Sequence, residues 1–267
     1  MTMAKMFISL VAGAAIATAT VACANRSGDD FSAAQVTQIQ TIVHDYLVNH
    51  PEVLVEASQA LQQKQLASMQ SKAAGAIIAN KVVLLTDKVS PVAGNSQGAV
   101  TLVEFFDYQC PHCIDMEPIV ANLVKNNPGL RVVFKEFPIF GDVSDYAARM
   151  SLAAYKQGKY IKFNNALLTA NKIIEMAHKS VTHTDIDNVA RKVGLNIDQA
   201  KKVMRSNAFT DELKQNRTLA GNLSLVGTPA FIVLYTDPAK NTDPAMVGFV
   251  PGQTDEATLQ GLISKLK

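Results

Sequence analysis

The chain has 267 residues, 48% of them hydrophobic and 18% charged. At about 150 residues per domain this makes one or two domains, with enough apolar material for a core, so a disordered chain is excluded. A net charge of +2 gives no support to nucleic-acid binding, and three cysteines are too few for a disulfide-dense scaffold.

The first segment reads as a leader. Lys5 precedes an apolar run from Met6 to Ile16, broken only by Ser9, and small residues follow up to Ala22-Cys23-Ala24. This A-x-A pattern predicts a cleaved secretory signal over residues 1–24 and a mature start at Asn25. Two readings compete with it. Cys23 could carry a lipid, although Thr20 stands where lipoprotein signals usually have Leu. The segment could remain as an anchor, although Ala17–Ala22 is weakly apolar for a membrane span. Cleavage removes Cys23 and leaves one cysteine pair, Cys110 and Cys113.

Asn25–Asp30 is polar and reads as a mobile end. Val36, Ile39, Val43, Tyr46 and Leu47 then follow helical spacing, with Ser32 or the Asp pair before it as cap. Asn49-His50-Pro51 breaks this helix, and a second is predicted from Pro51 to about Ile78, carrying Leu54, Ala57, Leu61, Leu66, Met69, Ala73 and Ile77. Val82–Leu85 reads as a short strand and Ser90–Gly98 as a loop. Ala99–Phe106 is β-branched and aromatic, a strand buried on both faces. Cys110 to about Asn126 reads as helix, and Leu130–Phe137 as another strand. Nearly everything from Val143 to Leu225 is helical. Thr184 and Asp187 suggest a capping box, Asn196 a cap for a helix through Val203, and Asp211–Leu223 a long helix. Strands return at Ala230–Tyr235 and Ala245–Val250, and a last helix starts at Thr254. The helical block lies between strands, so it reads as an insertion into one α/β unit.

The chemistry concentrates at Cys110-Pro-His-Cys113, between a buried strand and a helix. A cysteine at a helix start meets unpaired N–H groups and the positive dipole end, which favour thiolate. His112 adds a donor or a positive charge, and Pro111 suits the first helical turn. Thiols in C-x-x-C motifs span pKa values of about 3.5 to 7, and their disulfides differ by about 150 mV, roughly 7 kcal/mol, so the intervening dipeptide sets redox direction. The other histidines, at 44, 50, 178 and 183, form no second pair for zinc, and Ile114 stands where a c-type haem motif needs His. A purely structural disulfide across four residues is too strained to stabilise much.

The segment Val103-Glu-Phe-Phe-Asp-Tyr-Gln-Cys-Pro-His-Cys113 resembles the active-site strand and helix start of the DsbA-type thiol–disulfide oxidoreductases of the thioredoxin superfamily. Val226-Gly-Thr-Pro-Ala-Phe231 resembles their cis-proline loop. The resemblance covers about residues 80–267. It implies an α/β thioredoxin-like fold with a helical insertion at about 142–225, a catalytic domain over 81–267, and an N-terminal helical oligomerisation segment over 25–80. It implies that Cys110 is the attacking thiolate and Cys113 the resolving thiol, with Pro111 and His112 between them. Pro229 would follow a cis peptide, leaving the Thr228 backbone free to pair with a substrate strand. Glu104 matches the family's buried acid and reads as a proton relay for Cys113. Lys135 is a candidate partner for it, but strand alternation alone does not choose Lys135 over Glu136.

The implied activity is periplasmic disulfide exchange on unfolded or misoxidised secreted proteins, with no metal or organic cofactor. A quinone-linked membrane oxidase would re-oxidise an oxidase, and a membrane reductase would serve an isomerase. Thr228 resembles the isomerase-type members, since oxidases more often carry Val there, and residues 31–79 resemble the dimerisation segments of such relatives. The stripe Val36, Ile39, Val43, Leu47, Leu54, Leu61 and Leu66 then predicts a homodimer. The alternative class is a binding protein, holding Cu(I) on the two thiols or acting as a chaperone without turnover.

Overall fold

The computed structural model describes residues 31–267, and the expected leader and polar stretch at 1–30 lie outside the described residues. Two compact units divide at Ala60 and Leu61. In the first, α1 spans Ala33–Asn49. Ser32 caps it in a capping box with Gln35, which satisfies free N–H groups at both ends of the exchange. No residue of α1 is buried. The helix α2 runs Glu52–Ala79, entering the second unit at Leu61. The Leu66 and Met69 side chains lie outside the described residues.

The second unit is built on one five-stranded sheet, in the order β1-β3-β2-β4-β5. The strands are β1 Val92–Gly94, β2 Val100–Phe106, β3 Leu130–Glu136, β4 Ala230–Tyr235 and β5 Gly248–Pro251. β2 and β3 are parallel, and the other pairs are antiparallel. Every residue of β2 and of β3 is buried, because both faces are covered. Leu102, Phe106, Val132 and Phe134 face one layer, with residues of the helix that follows Cys110, of the inserted helices and of the C-terminal helix. Val103, Phe105, Val133 and Ile232 face the other, with Ile77, Leu84, Leu219 and Leu223.

Between β2 and β3 lies α4, Pro111–Asn126. Between β3 and β4 lie five helices: α5 Asp142–Lys156, α6 Tyr160–Met176, α7 His183–Lys192, α8 Ile197–Met204 and α9 Asn207–Asn222. Since β3 and β4 both pair with β2, these helices are an insertion into one sheet unit, as the element order predicts. α10, Glu256–Lys265, closes the chain behind its N-cap Asp255.

Four local expectations are corrected. Val82–Leu85 is not a strand but part of α3, Lys81–Thr86. Leu84 and Leu85 are neighbours and both buried in the same layer as Ile77, which a helix allows and an alternating strand does not. Inside the expected loop, Val92–Gly94 pairs with β3 as a three-residue edge strand. The capping box lies two residues earlier, at Thr182 and Asp185. Ala245 and Met246 belong to a 3-10 turn, and β5 starts at Gly248.

Lys135 is fully buried and pairs with Asp87 at 2.6 Å, not with Glu104. The register Glu104↔Phe134 and Phe105↔Lys135 sends the Lys135 side chain to the opposite face of the sheet from Glu104. Ser90 Oγ joins the carboxylates of Asp87 and Glu212, at 2.7 and 2.8 Å. Removing one partner of a buried pair leaves a desolvated charge, so Asp87→Ala is expected to cost about 3 kcal/mol in urea unfolding at pH 7. The Lys135 ammonium, opposed by the cost of burial, holds the Asp87 carboxyl well below its usual range. The pair's contribution is therefore present above the unfolded Asp pKa and is lost as pH falls through the folded value. The stability gap between wild type and Asp87→Ala should close in acid.

Candidate active site

β2 delivers the dithiol. Its last residue, Phe106, is followed by Asp107, whose carboxylate accepts from the N–H groups of Gln109 (2.7 Å), Ile139 (2.7 Å) and Phe140 (3.2 Å). That buried side chain ties the turn before Cys110 to the loop after β3. Cys110 is the N-cap of α4, and Pro111 occupies the first turn, where a missing N–H costs no helical bond. Both cysteines are free and buried.

The Val226–Pro229 loop enters between α9 and β4. Its Thr228–Pro229 peptide is cis. The Cys110 thiol donates to the Thr228 carbonyl at 3.3 Å, which brings the two sequence motifs together across 118 residues. The Thr228 hydroxyl is buried and has no partner among the described residues. Val226, two residues earlier, is fully exposed.

The two thiols differ sharply. The Cys110 pKa is lowered to about 6. The main cause is hydrogen bonding from the Cys113 thiol. Burial opposes it, and the N–H groups of Cys113 and His112 add to it. Burial pushes the Cys113 thiol far up, and its bond to Cys110 raises it further. One sulfur is thus a stable thiolate and good leaving group, while the other needs a proton whenever it leaves.

Glu104 is 5% exposed. Burial raises its pKa to about 8, with the Glu117 carboxylate adding to the rise. Glu104, Cys113 and Glu117 line one cavity of about 170 Å³ with Val120, Phe134 and Asn164. At about 30 Å³ per molecule it has room for several waters. His112 lies on the exposed side, with its Nδ1 at 2.6 Å from Gln253 Oε1.

The structure thus gathers Cys110, Cys113, Thr228 and Pro229 at one point, with Glu104 lining the same cavity as Cys113. Three contributors escape the sequence reading. Glu117 follows Cys113 by four residues, a helical spacing that places both on one face and was open to inspection. Asp107 begins an Asx turn before the cysteine, a weaker local signal. Gln253 is 141 residues from His112 and gives no local signal.

Comparison with known proteins agrees with this geometry. The family model described as DSBA-like thioredoxin domain matches residues 101–264. That described as Copper resistance protein ScsC N-terminal domain matches residues 35–67. A thioredoxin-like oxidoreductase from Silicibacter pomeroyi DSS-3 is 37% identical, with 70% of this chain and 96% of that one covered and a TM-score of 0.59. BcfH from Salmonella enterica Typhimurium is 34% identical over 87% of this chain and 96% of its own, with a TM-score of 0.72. The thiol:disulfide interchange protein DsbA of Pseudomonas syringae pv. tomato is 29% identical, covering 66% of this chain and 80% of that one. The chain also matches the Na(+)/H(+) antiporter NhaA 3 of Salinispora tropica at 28% identity over 145 residues, spanning 21% of that protein's length. The first family match alone takes in more than half of the chain, from the dithiol strand through the inserted helices to α10, and the chain belongs to the DSBA-like thioredoxin domain family.

Proposed function

We propose that the protein is a periplasmic protein-disulfide oxidoreductase that forms and isomerises disulfides in secreted polypeptides. The observation that carries this reading is the inequality of the two thiols at one helix start, Cys110 lowered to about 6 and Cys113 pushed far up. A substrate thiolate attacks the Cys110 sulfur of the oxidised pair. The Cys110–Cys113 bond breaks, a mixed disulfide forms, and Cys113 leaves with the electron pair and takes a proton, which Glu104 supplies. A second substrate thiolate then attacks the substrate sulfur and releases Cys110 as thiolate. The substrate is oxidised by two electrons and the enzyme dithiol reduced by two. Isomerisation uses the reduced form and returns it unchanged. Thr228 touches Cys110, and with Pro229 it forms the surface on which the substrate chain lies.

The A-x-A leader supports a periplasmic site of action. Re-oxidation would come from a quinone-linked membrane oxidase, and maintenance of the reduced form from a membrane reductase. In the test, oxidised protein is mixed with a reduced, unfolded polypeptide, and reduced protein with a scrambled one. Loss of substrate thiols in the first and regain of native activity in the second are expected. Inertness in both assays would refute the reading.

The extension supports a homodimer. Val36 (41%), Val43 (50%), Leu54 (56%) and Leu61 (56%) are exposed apolar side chains, more than a solvated helix surface needs. Pairing such a stripe with its copy gives a closed two-fold assembly. Introducing Ile39→Glu and Val43→Glu together should halve the mass read by light scattering at micromolar concentration and leave disulfide formation intact while weakening isomerisation. A monomeric unmodified chain would sink the dimer.

A further inference from the structure

We propose that Glu212 is kept as a neutral acid and that, with Asp87, Ser90 and Lys135, it forms a pH-sensitive latch that holds the segment after α3 and the strand β3 to α9, and that slackens when Glu212 ionises. Ser90, Lys135 and Glu212 are buried, and the Asp87 side chain is 7% exposed. Ser90 Oγ lies 2.7 Å from Asp87 Oδ2 and 2.8 Å from Glu212 Oε1. A hydroxyl has one hydrogen to give, and an ionised carboxylate only accepts. One of the two carboxyls must therefore supply the second hydrogen. Asp87 is the ionised one, since its Oδ2 takes the Lys135 ammonium at 2.6 Å and its Oδ1 the Val89 N–H at 2.8 Å. Glu212 then carries the proton and gives it to Ser90, which gives its own to Asp87. Its Oε1 keeps a lone pair for the Asn216 amide at 3.1 Å.

The other charges near by are turned elsewhere. On α9, Asp211 and Lys214 line an outer groove with Asn80, and Arg217 donates to the Pro138 carbonyl at 3.2 Å. On β3, alternation sends the Glu136 carboxyl to the opposite face from Lys135, where Ser151 and Tyr160 donate to it. Among the described residues Lys135 is the cation that faces Glu212, and Asp87 already holds it. Burial raises the Glu212 pKa, Lys135 opposes the rise and the Asp87 carboxylate adds to it. An ionised Glu212 would leave one hydroxyl hydrogen between two carboxylates and a net negative charge in the core. The helix held in this way also carries Leu219 and Ala220 against Leu84 and Leu85. It leads through Leu223 to the cis Thr228–Pro229 peptide, so the latch anchors the element that bears the loop beside Cys110.

The experiment uses the reduced protein with 13C-labelled glutamate carboxyls, the Glu212 signal being the one that Glu212→Gln removes. That signal should stay at the protonated position at a pH where the exposed glutamates are ionised. A folded pKa above the unfolded one makes the latch's contribution full below the unfolded Glu pKa, and lost as pH rises through the folded value. Glutamine copies the neutral acid, so the two proteins should exchange amide hydrogens alike below the Glu212 titration. Above it, segment 87–90 and α9 of the unmodified chain should exchange about fivefold faster than in Glu212→Gln at the same pH, the worth of one net hydrogen bond. The Glu104 titration is common to both proteins and cancels. A Glu212 carboxyl that ionises together with the exposed glutamates overturns the proposal. So does an exchange ratio between the two proteins that stays constant across the titration. If Glu212→Gln does not fold, the unmodified chain decides alone: its Glu212 carboxyl is assigned through bonds, and exchange in α9 is set against exchange in α6, which lies on the other face of the sheet. Equal pH dependence in the two helices then overturns the proposal.

Discussion

With Cys110 replaced by serine the protein is expected to lose all disulfide-forming activity toward reduced, unfolded protein, and with Cys113 replaced it is expected to stop at a mixed disulfide. The two outcomes differ because the two sulfurs sit in different surroundings. Cys110, at the helix start, is held as thiolate, with its pKa lowered to about 6. At pH 7 such a thiol is about nine-tenths ionised, against a few per cent for an ordinary cysteine. In the proposed cycle it is therefore both the sulfur that substrates attack and the one that leaves easily. A serine hydroxyl forms no disulfide, and Cys113, pushed far up by burial, cannot substitute as thiolate. In Cys113→Ser the Cys110 thiolate remains but lacks the thiol that resolves its adducts. A disulfide formed when Cys110 attacks oxidised glutathione or the disulfide of a scrambled substrate, releasing the other sulfur as thiolate, should then persist on non-reducing gels and in intact mass. Alkylation of Cys110 should follow ionisation with a midpoint near pH 6. Full activity in Cys110→Ser, or an alkylation midpoint near that of free cysteine, would refute the mechanism.

The parts of the fold that can be read from the sequence are those where local pattern and tertiary burial agree. Val100–Phe106 is apolar and β-branched on both faces, and the sheet buries both faces. Ser32 and Asn196 cap the helices that their spacing predicts, because a side-chain oxygen before an amphipathic run has one evident use. Lys81–Thr86 is the counter-example. Four consecutive apolar residues suit a strand as well as a helix, and only the packing of Leu84 and Leu85 against Leu219 and Ala220 decides. The edge strand β1 is three residues long, too short for alternation to show.

In the site, Cys110, Cys113 and the Thr228–Pro229 loop stand out because their motifs are contiguous in sequence. Glu104 stands out because a carboxylate in an apolar run needs a purpose. Its surroundings are another matter. The choice between Lys135 and Glu136 turns on strand register, which no local pattern contains. Once Glu104 is opposite Phe134, Lys135 must point to the other layer, where Asp87 waits. Gln253 is invisible for the same reason: its contact exists only after β5 and α4 are placed on the same sheet.

Glu104→Gln should change stability and rate together, each with its own pH dependence. The Glu104 pKa is raised from 4.5 to about 8, first by burial and then by Glu117. Between those values the folded protein holds a proton that the unfolded chain has released. Stability therefore falls as pH rises through this window, by about 1.4 kcal/mol per pH unit and about 5 kcal/mol in all. Glutamine cannot ionise. The variant should match the unmodified protein near pH 4.5, gain on it steadily, and be more stable by about 5 kcal/mol above pH 8, as read by urea unfolding of the reduced form. Glu117, whose carboxyl burial also pushes up, leaves a smaller slope in both proteins. The rate should move the other way. At pH 7 Glu104 is mostly protonated, and it lines the cavity onto which Cys113 opens. In the proposed cycle it gives its proton to the Cys113 sulfur as that sulfur leaves, and takes it back when Cys113 must attack. Without it, the step in which substrate displaces Cys113 should slow by about a hundredfold, the low end of what a positioned acid contributes. Stopped-flow oxidation of a model dithiol between pH 5 and 9 reads this directly, and the rate limb near pH 8 should vanish in the variant. Parallel stability curves for the two proteins, or an unchanged rate profile, would remove Glu104 from the proton path and leave it a buried acid without a function.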